Sequence, residues 1–213
     1  MPHDTALFFG QFLRDPITVG ALAPSSWRLA RSVCAPVPER GEPVVVELGP
    51  GTGPFTVEIQ RRLAGRGRHL AVELNAPMAE LLARRFPGVD VVHGDAAELS
   101  GLLAGRGLGQ ADVVVSGLPW AAFPAALQHR LMEAVVSAMS PAGAFTTFSY
   151  VHAIPLGSAR RFRALLAERF EEVVPSRTVW RNAPPAFVFH ARRPRSDGTP
   201  VLPAHRSCRH TAL

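Results

Sequence analysis

The sequence contains no lysine, and several other residue types or patterns are scarce. All 23 basic residues are arginine, which indicates a GC-rich genome and assigns no chemistry by itself. Cysteine occurs only at Cys34 and Cys208, so neither a disulfide framework nor a metal site is predicted. No uncharged apolar run of about 18 residues is present, which argues against a membrane-spanning helix. The N-terminus also lacks the features of a secretory signal, so a cytoplasmic location is expected.

The net charge of +6 is concentrated near the C-terminus. Residues 192–213 carry five arginines and one aspartate, so the rest of the chain is close to neutral. A basic segment attracts any polyanion, and its charge therefore does not indicate nucleic acid as a partner. We expect three regions: a helical cap over residues 1–40, one domain over residues 41–191 and a disordered basic tail over residues 192–213.

Strand patterns and helix patterns alternate through the central region. Strands are predicted at 44–47, 69–73, 89–93, 111–116 and 143–150, and helices at 54–64, 77–86, 96–104, 124–139 and 158–170. Such alternation predicts an α/β fold with a parallel sheet covered on both faces. Two further strand-like runs, at 171–180 and 185–191, lie too close together for a parallel crossover. They are therefore predicted to form an antiparallel hairpin.

Two helical patches precede this alternating region. The patch over residues 25–34 begins with a serine cap, at Ser25 or Ser26. The patch over residues 5–15, "TALFFGQFLRD", is strongly apolar. Its apolar side chains either dip into a bilayer interface or pack on the sheet, and the sequence leaves both alternatives open.

A glycine turn, Gly49-Pro50-Gly51-Thr52-Gly53, follows the first predicted strand. In α/β proteins, a glycine-rich turn between a strand and a helix is where nucleotide-like ligands bind. The spacing does not match the dinucleotide fingerprint, and the Lys-Ser/Thr of a phosphate loop is absent. A pyrophosphate ligand is therefore not predicted.

Three acids lie at the ends of successive predicted strands. Glu47 precedes the glycine turn, where it either receives an ammonium group or orders the loop. Glu73 ends the second strand, placed to bind both hydroxyls of a ribose. Asp95 follows the third strand, within reach of an adenine amino group. Together they predict a ligand made of an adenosine and an amino-acid tail.

In these features residues 40–191 resemble the class I S-adenosylmethionine (SAM)-dependent methyltransferases, whose first motif is similar to "VVELGPGTGPF". The resemblance implies a methyltransferase with SAM as its cofactor. It also implies a Rossmann-like seven-stranded sheet with an antiparallel C-terminal hairpin, here preceded by an N-terminal helical cap. The implied cofactor-binding residues are Glu47, Gly49, Gly51, Thr52, Gly53, Glu73, Leu74, Asp95, Ala96 and Ser116.

The segment after the fourth strand, "SGLPW", bears on the methyl acceptor. It resembles the Asn-Leu-Pro-aromatic motif of the rRNA adenine dimethyltransferases, but Gly117 stands at the asparagine position. Glycine has no side chain with which to hold an exocyclic amine, so nucleobase methylation is not favoured. Trp120 is either a core aromatic or a pocket residue that binds an ammonium group by a cation–π contact.

Residues 15–33, "SGLPW" and residues 176–189 together resemble the bacterial phosphatidylethanolamine N-methyltransferases. This narrower resemblance implies methylation of a lipid amine by an enzyme that contacts the inner membrane face peripherally. It makes Arg177 and Arg181 candidates for binding a lipid phosphate, with Asn182 as a further substrate-binding candidate.

A protonated amine cannot attack a methyl group, so the reaction needs a proton acceptor. Tyr150, the only tyrosine, lies at the end of the fifth predicted strand, and His152 follows it. Histidine is the better base by its intrinsic pKa, and tyrosine has the better position. Both remain candidates for the catalytic residue.

Other functions are compatible with the same motifs. The main alternative is an enzyme of specialised metabolism that acts on a hydrophobic terpenoid-like or polyketide-like molecule, by methylation or by a repurposed reaction such as cyclisation. An RNA adenine dimethyltransferase and a SAM-binding protein without catalysis are the other two. The sequence does not indicate the oligomeric state.

Overall fold

A computed structural model describes residues 26–195 of the protein. A single seven-stranded sheet has the order β3-β2-β1-β4-β5-β7-β6. The strands are β1 (Val44–Leu48), β2 (Arg68–Glu73), β3 (Asp90–His93), β4 (Ala111–Ser116), β5 (Met139–Tyr150), β6 (Phe170–Pro175) and β7 (Ala186–Pro194). The helices are α1 (Trp27–Val33), α2 (Pro54–Leu63), α3 (Ala76–Arg85), α4 (Leu99–Ala104), α5 (Ala125–Ala138) and α6 (Gly157–Arg169).

Strand β7 runs against the other six strands. It pairs antiparallel with both β5 and β6, whereas β1 to β5 form parallel pairs. This confirms the predicted Rossmann-like α/β fold with an antiparallel C-terminal hairpin. The carboxyl ends of six strands, and the loops that follow them, therefore lie at one edge of the sheet.

Helices cover both faces of the sheet. Apolar side chains of α1 and α2 pack with Val45, Val113 and Val115 on one face. Side chains of α4, α5 and α6 pack with Val46, Val114 and others on the opposite face. Alternate residues of β1 and β4 thus point into different cores, as the two-residue period of a strand requires.

Most predicted elements are present, with differences at their ends. Strand β5 begins at Met139, directly after α5, rather than at residue 143. The predicted strand 171–180 ends at Pro175, and the loop beyond it contains only an isolated bridge between Val179 and Ala186. The predicted helix 96–104 divides into a 3₁₀ turn and α4. The predicted serine cap of α1 is Ser26, whose Oγ accepts a hydrogen bond from Leu29 N. Strand β7 runs to Pro194, so residues 192–194 belong to the sheet, which corrects the start of the disordered tail predicted over residues 192–213. The patch over residues 5–15 and residues 196–213 lie outside the described residues.

Candidate active site

The turn between β1 and α2 contains three glycines with positive φ. The angles are +65° at Gly49, +54° at Gly51 and +86° at Gly53, a region that side chains strongly disfavour. A Cβ atom on Gly49 would lie 2.8 Å from Cδ2 of Leu118, whereas one on Gly51 would meet no atom within 4 Å. The turn is therefore packed against protein at Gly49 and open at Gly51, where a ligand can approach the backbone.

Glu73 joins the end of β2 to this turn. Its Oε2 accepts a hydrogen bond from Gly51 N at 3.1 Å, and its Oε1 accepts one from Asn75 N at 3.0 Å. The residue is only 3% exposed, and burial raises the pKa of its carboxyl above the usual value. Two backbone donors thus hold a buried carboxylate beside the open part of the glycine turn.

Asp95 lies one strand further along the same edge. Its Oδ1 accepts a hydrogen bond from Ala97 N at 2.9 Å, and its Oδ2 pairs with Nη2 of Arg130 at 3.0 Å. A small, mostly apolar slot lies between this carboxylate and the glycine turn, and its lining includes Gly49, Val72, Leu74, Asp95, Ala96, Leu118, Phe123 and Leu131. Sequence reasoning missed Leu118, Phe123 and Leu131, because apolar side chains by themselves predict only a core.

Glu47 is fully buried beneath the first turn of α2. Its Oε2 accepts a hydrogen bond from Oγ1 of Thr56 at 2.8 Å and lies 3.2 Å from Nε2 of His69. Its Oε1 has no hydrogen-bond partner within residues 26–195. Because the carboxylate is closed off from solvent, the structure favours the predicted role in ordering the turn over direct contact with an ammonium group. Thr52, in the same turn, is exposed, and its carbonyl accepts a hydrogen bond from Arg85.

Trp120 corrects one of the predictions. The side chain is only 1% exposed and stacks on Phe162, with ring centroids 4.8 Å apart and an interplanar angle of 17°. Its Nε1 donates to Oγ of Ser116 at 3.0 Å, and the same hydroxyl accepts from Leu118 N at 3.3 Å. Trp120 is therefore a core residue with no free ring face for an ammonium group, and the Ser116 hydroxyl fixes the "SGLPW" segment rather than pointing to a ligand.

Gly117 occupies a position that only glycine fits. A Cβ atom there would lie 2.5 Å from the carbonyl oxygen of Gly49, far inside van der Waals contact with backbone. An asparagine, as found in the rRNA adenine dimethyltransferase motif, is therefore incompatible with this backbone. The absence of a side chain at Gly117 thus allows the segment after β4 to approach the glycine turn closely.

Tyr150 and His152 lie together at the carboxyl end of β5. Their rings are parallel, with an interplanar angle of 10° and centroids 5.4 Å apart. Tyr150 is half-buried, and burial raises the pKa of its phenol. His152 is exposed, in a 3₁₀ turn that follows the strand. The structure therefore brings the two candidate proton acceptors side by side in different environments.

The substrate-binding candidates of the β6–β7 loop are in two kinds of environment. Arg177 and Arg181 are exposed. Asn182 is buried: its Oδ1 accepts a hydrogen bond from Ser26 N at 2.9 Å, and its Nδ2 donates to the Pro184 carbonyl at 2.7 Å. Asn182 thus holds the loop against the start of α1, which corrects its assignment to substrate binding.

Comparison with known proteins identifies the family. A relative from Singulisphaera acidiphila, named ornithine lipid N-methyltransferase, is 38% identical over 192 residues, which cover 89% of this chain and 96% of the relative. The chain belongs to the class I SAM-dependent methyltransferases. The sequence profile described as "Methyltransferase domain" matches residues 45–143 of it.

Two further similarities are partial or structural. Ribosomal RNA small subunit methyltransferase A of a Synechococcus species is 34% identical to this methyltransferase over 99 residues, which cover 45% of this chain and 32% of that protein. The structure of human methyltransferase-like protein 13 in complex with SAH superposes with a TM-score of 0.62 at 16% identity, covering 81% of this chain and 84% of the human one. The second comparison supports the fold.

SAM is the cofactor of this methyltransferase, and the site geometry fits it. The open backbone at Gly51 would leave room for the amino-acid tail, and the adjacent Glu73 carboxylate would accept hydrogen bonds from the ribose hydroxyls. The small apolar slot that ends at Asp95 would contact one edge of the purine. When bound, SAM supplies an electrophilic methyl group on a sulfonium. Within residues 26–195, none of the helices is both long enough and apolar enough to cross a membrane.

Proposed function

We propose that this methyltransferase methylates the amine of a membrane lipid headgroup. The observation that carries the proposal is the full-length similarity to a protein named ornithine lipid N-methyltransferase. Nearly half of that match lies outside residues 45–143, which the general methyltransferase profile covers. The similarity therefore includes segments on both sides of the region that the general profile matches.

The cofactor would be held by backbone and carboxylates together. Gly51 presents bare main chain to the amino-acid tail, and Glu73 accepts hydrogen bonds from the ribose hydroxyls in addition to the two it already accepts. Asp95, whose carboxylate pairs with Arg130, would accept a hydrogen bond from the adenine amino group. Leu74, Ala96 and the other slot residues would contact the purine on an apolar face.

The proton of the incoming ammonium group is assigned to His152. Burial raises the pKa of Tyr150, so its phenol stays protonated at neutral pH and is a poor proton acceptor. The phenol oxygen can still accept a hydrogen bond from the amine and orient it. The imidazole of His152 is exposed beside the phenol, so a proton that it takes from the amine can pass directly to solvent. Tyr150 therefore positions the nitrogen, and His152 removes its proton.

Gly117 argues against a nucleobase as the acceptor. The polar side chain that would hold an exocyclic amine is absent, and the 2.5 Å approach to the Gly49 carbonyl leaves no room to introduce one. An alkyl amine needs no planar base-stacking site, so the buried position of Trp120 does not affect it. Both observations are consistent with an aliphatic nitrogen.

Exposed side chains at the carboxyl edge suit a membrane surface. Trp180 is 72% exposed in the β6–β7 loop, between Arg177 and Arg181, and Trp27 is 59% exposed at the start of α1. Indole rings with neighbouring arginines are typical of proteins that lie at the bilayer interface. Peripheral contact through this edge would present lipid headgroups to the site, with Arg177 and Arg181 on phosphates at the bilayer surface.

The proposal is tested by supplying the purified protein with isotopically labelled SAM and two lipid preparations. Vesicles of phosphatidylethanolamine and micelles containing ornithine lipid are extracted and analysed by mass spectrometry for mono-, di- and trimethylated headgroups. The Glu73→Gln variant should lose transfer, whereas Glu80→Gln, at an exposed position of α3, should retain it. Transfer to soluble terpenoid-like or polyketide-like acceptors, with neither lipid methylated, would instead support the specialised-metabolism alternative.

A further inference from the structure

A second cavity, of about 550 Å³, lies between β5, α6 and the β6–β7 hairpin. It shares no lining residue with the slot beside the glycine turn. Its wall is largely apolar and includes Ile154, Pro155, Phe162, Pro175, Phe187 and Phe189. The volume is within the range of about 300–1,000 Å³ that is typical of sites for small organic ligands.

Two arginines give this cavity a positive charge. Arg160 and Arg163, one helical turn apart on α6, both line it. Neither has an ion-pair or side-chain hydrogen-bond partner within residues 26–195, whereas Arg169, further along the same helix, pairs with Glu133 and Glu168. The cavity therefore combines an apolar wall with two uncompensated guanidinium groups.

The cavity is close to the site of methyl transfer. Ser149 lines it and directly precedes Tyr150 on β5, so the two side chains lie on opposite faces of the sheet, that of Ser149 on the α6 face and that of Tyr150 on the α1 face. Strand β5 pairs with β4, which ends at Ser116, and β7 lies next to β5. Because adjacent strands are about 4.8 Å apart, the cavity begins only ~5–10 Å from the end of β4.

We propose that this cavity binds the acyl chain of the acceptor lipid, while Arg160 and Arg163 bind the anionic group, phosphate or carboxylate, that lies between the chain and the amine. The assignment rests on the proposed function and names the substrate class more closely: an amphiphile in which an acidic group separates an apolar chain from an amine. A chain in the cavity would leave the headgroup at the carboxyl end of β5, from where the amine would extend over the edge of the sheet towards Tyr150.

Binding of simple amphiphiles tests the assignment without any methyl transfer. Dodecanoate, dodecyl phosphate, dodecyltrimethylammonium and inorganic phosphate are titrated separately into the full chain below their micellar concentrations, by isothermal calorimetry. Both anionic amphiphiles should bind. The cationic amphiphile should bind at least about tenfold more weakly, because it loses the charged hydrogen bonds. Inorganic phosphate, which has no chain, should not bind measurably.

Three variants separate the contributions of charge and volume. Arg160→Gln combined with Arg163→Gln should weaken both anionic amphiphiles about tenfold or more. Arg161→Gln is the matched control, because Arg161 lies between them on α6 but does not line the cavity. Ala159→Trp, which places an indole in the cavity, should abolish binding of all the amphiphiles. SAH affinity should be the same in every variant, since the cofactor slot is not altered.

The outcomes distinguish this assignment from the proposed function. If the anionic amphiphiles do not bind, the assignment is overturned even if lipids are methylated. This result is expected if another part of the chain fills the cavity. Equal binding of anionic and cationic amphiphiles also overturns it. If amphiphile binding responds to the variants but no lipid is methylated, the binding site is confirmed and the proposed function is wrong. If the cavity binds the acyl chain and lipids are methylated, the double arginine variant should have a higher KM for the lipid with little change in kcat.

Discussion

The backbone N–H of Ser26 donates a hydrogen bond to Oδ1 of Asn182 at 2.9 Å, although the two residues are 156 positions apart. Asn182 is 5% exposed and also donates to the Pro184 carbonyl. The contact ties the N-cap of α1 to the β6–β7 loop. The start of α1 and the β6–β7 loop are thereby held together at the edge of the sheet that carries the glycine turn.

Replacing Asn182 should therefore cost stability. In Asn182→Ala the Ser26 N–H and the Pro184 carbonyl both lose a partner in a buried setting, and the free energy of unfolding should fall by about 1–3 kcal/mol. Urea denaturation of the full chain measures this change. Arg181→Ala, at the exposed neighbouring position, should change the value by less than about 0.5 kcal/mol. Equal stability of the two variants would contradict a structural role for Asn182.

Substitution of Gly117 should damage the cofactor site. In Gly117→Ala the new methyl group would lie 2.5 Å from the Gly49 carbonyl, so the glycine turn must shift, and SAH affinity should fall at least about tenfold with a loss of stability. Calorimetry with SAH and thermal unfolding measure the two effects. Gly101→Ala is the matched control: a Cβ atom there meets nothing within 4 Å, and α4 should gain up to about 1 kcal/mol. Unchanged SAH affinity in Gly117→Ala would show that the turn tolerates a Cβ atom.

As pH falls, the affinity for SAH should begin to decline at a higher pH than it would if Glu73 had the usual pKa of a glutamate. Burial raises the pKa of Glu73, so its protonation begins above the usual range for glutamate and removes acceptor capacity from the site. The folded state then binds this proton more tightly than the unfolded chain, so the contribution of Glu73 to stability rises as pH falls while SAH affinity declines. SAH titrations over a pH series measure this effect. A Glu73→Gln variant with the same pH profile as the wild type would assign the effect to another group.

His190 should make the fold less stable in mildly acidic solution. Burial, and secondarily Arg192, lowers the pKa of its imidazole. The unfolded chain takes up this proton near pH 6.5 and the folded protein only at lower pH, so stability falls as pH decreases below about 6.5. Urea midpoints between pH 8 and pH 5 should show a shallower decline for His190→Gln than for His129→Gln, whose histidine is exposed. Parallel curves would exclude this contribution.

If His152 accepts the proton of the amine, its replacement should lower kcat in a pH-dependent way. His152→Ala should reduce the rate about 10²-fold or more at neutral pH and recover part of it at higher pH, where more of the amine is already neutral. Tyr150→Phe should chiefly raise KM, because the phenol orients the nitrogen. Methyl-transfer rates on the identified lipid over a pH series separate the two. A flat pH profile for His152→Ala would remove the general-base role.

The sheet could be predicted from sequence because its signals are local. Alternating apolar runs mark β1 to β5, and the short distance between residues 180 and 185 requires an antiparallel β7. Element ends were less predictable. The apolar pattern continues over 171–180, but strand β6 ends at Pro175. There Pro175 and Phe189 of β7 form the last pair between the two strands. Strand ends thus depend on the partner strand as well as on the residues.

The sequence by itself determined the family and predicted which strand ends carry the cofactor site. A positive φ requires glycine at Gly49, Gly51 and Gly53, and strand-end acids such as Glu73 meet at one edge of any parallel sheet. Only the tertiary structure decided which side chains are free to meet a ligand. Trp120 stacks on Phe162, Asn182 bonds Ser26, and the arginine-lined cavity forms where α6 meets strands from distant parts of the chain. Hydrogen-bond partners and packing surfaces that are far apart in sequence leave no local pattern, because their contacts exist only once the chain has folded.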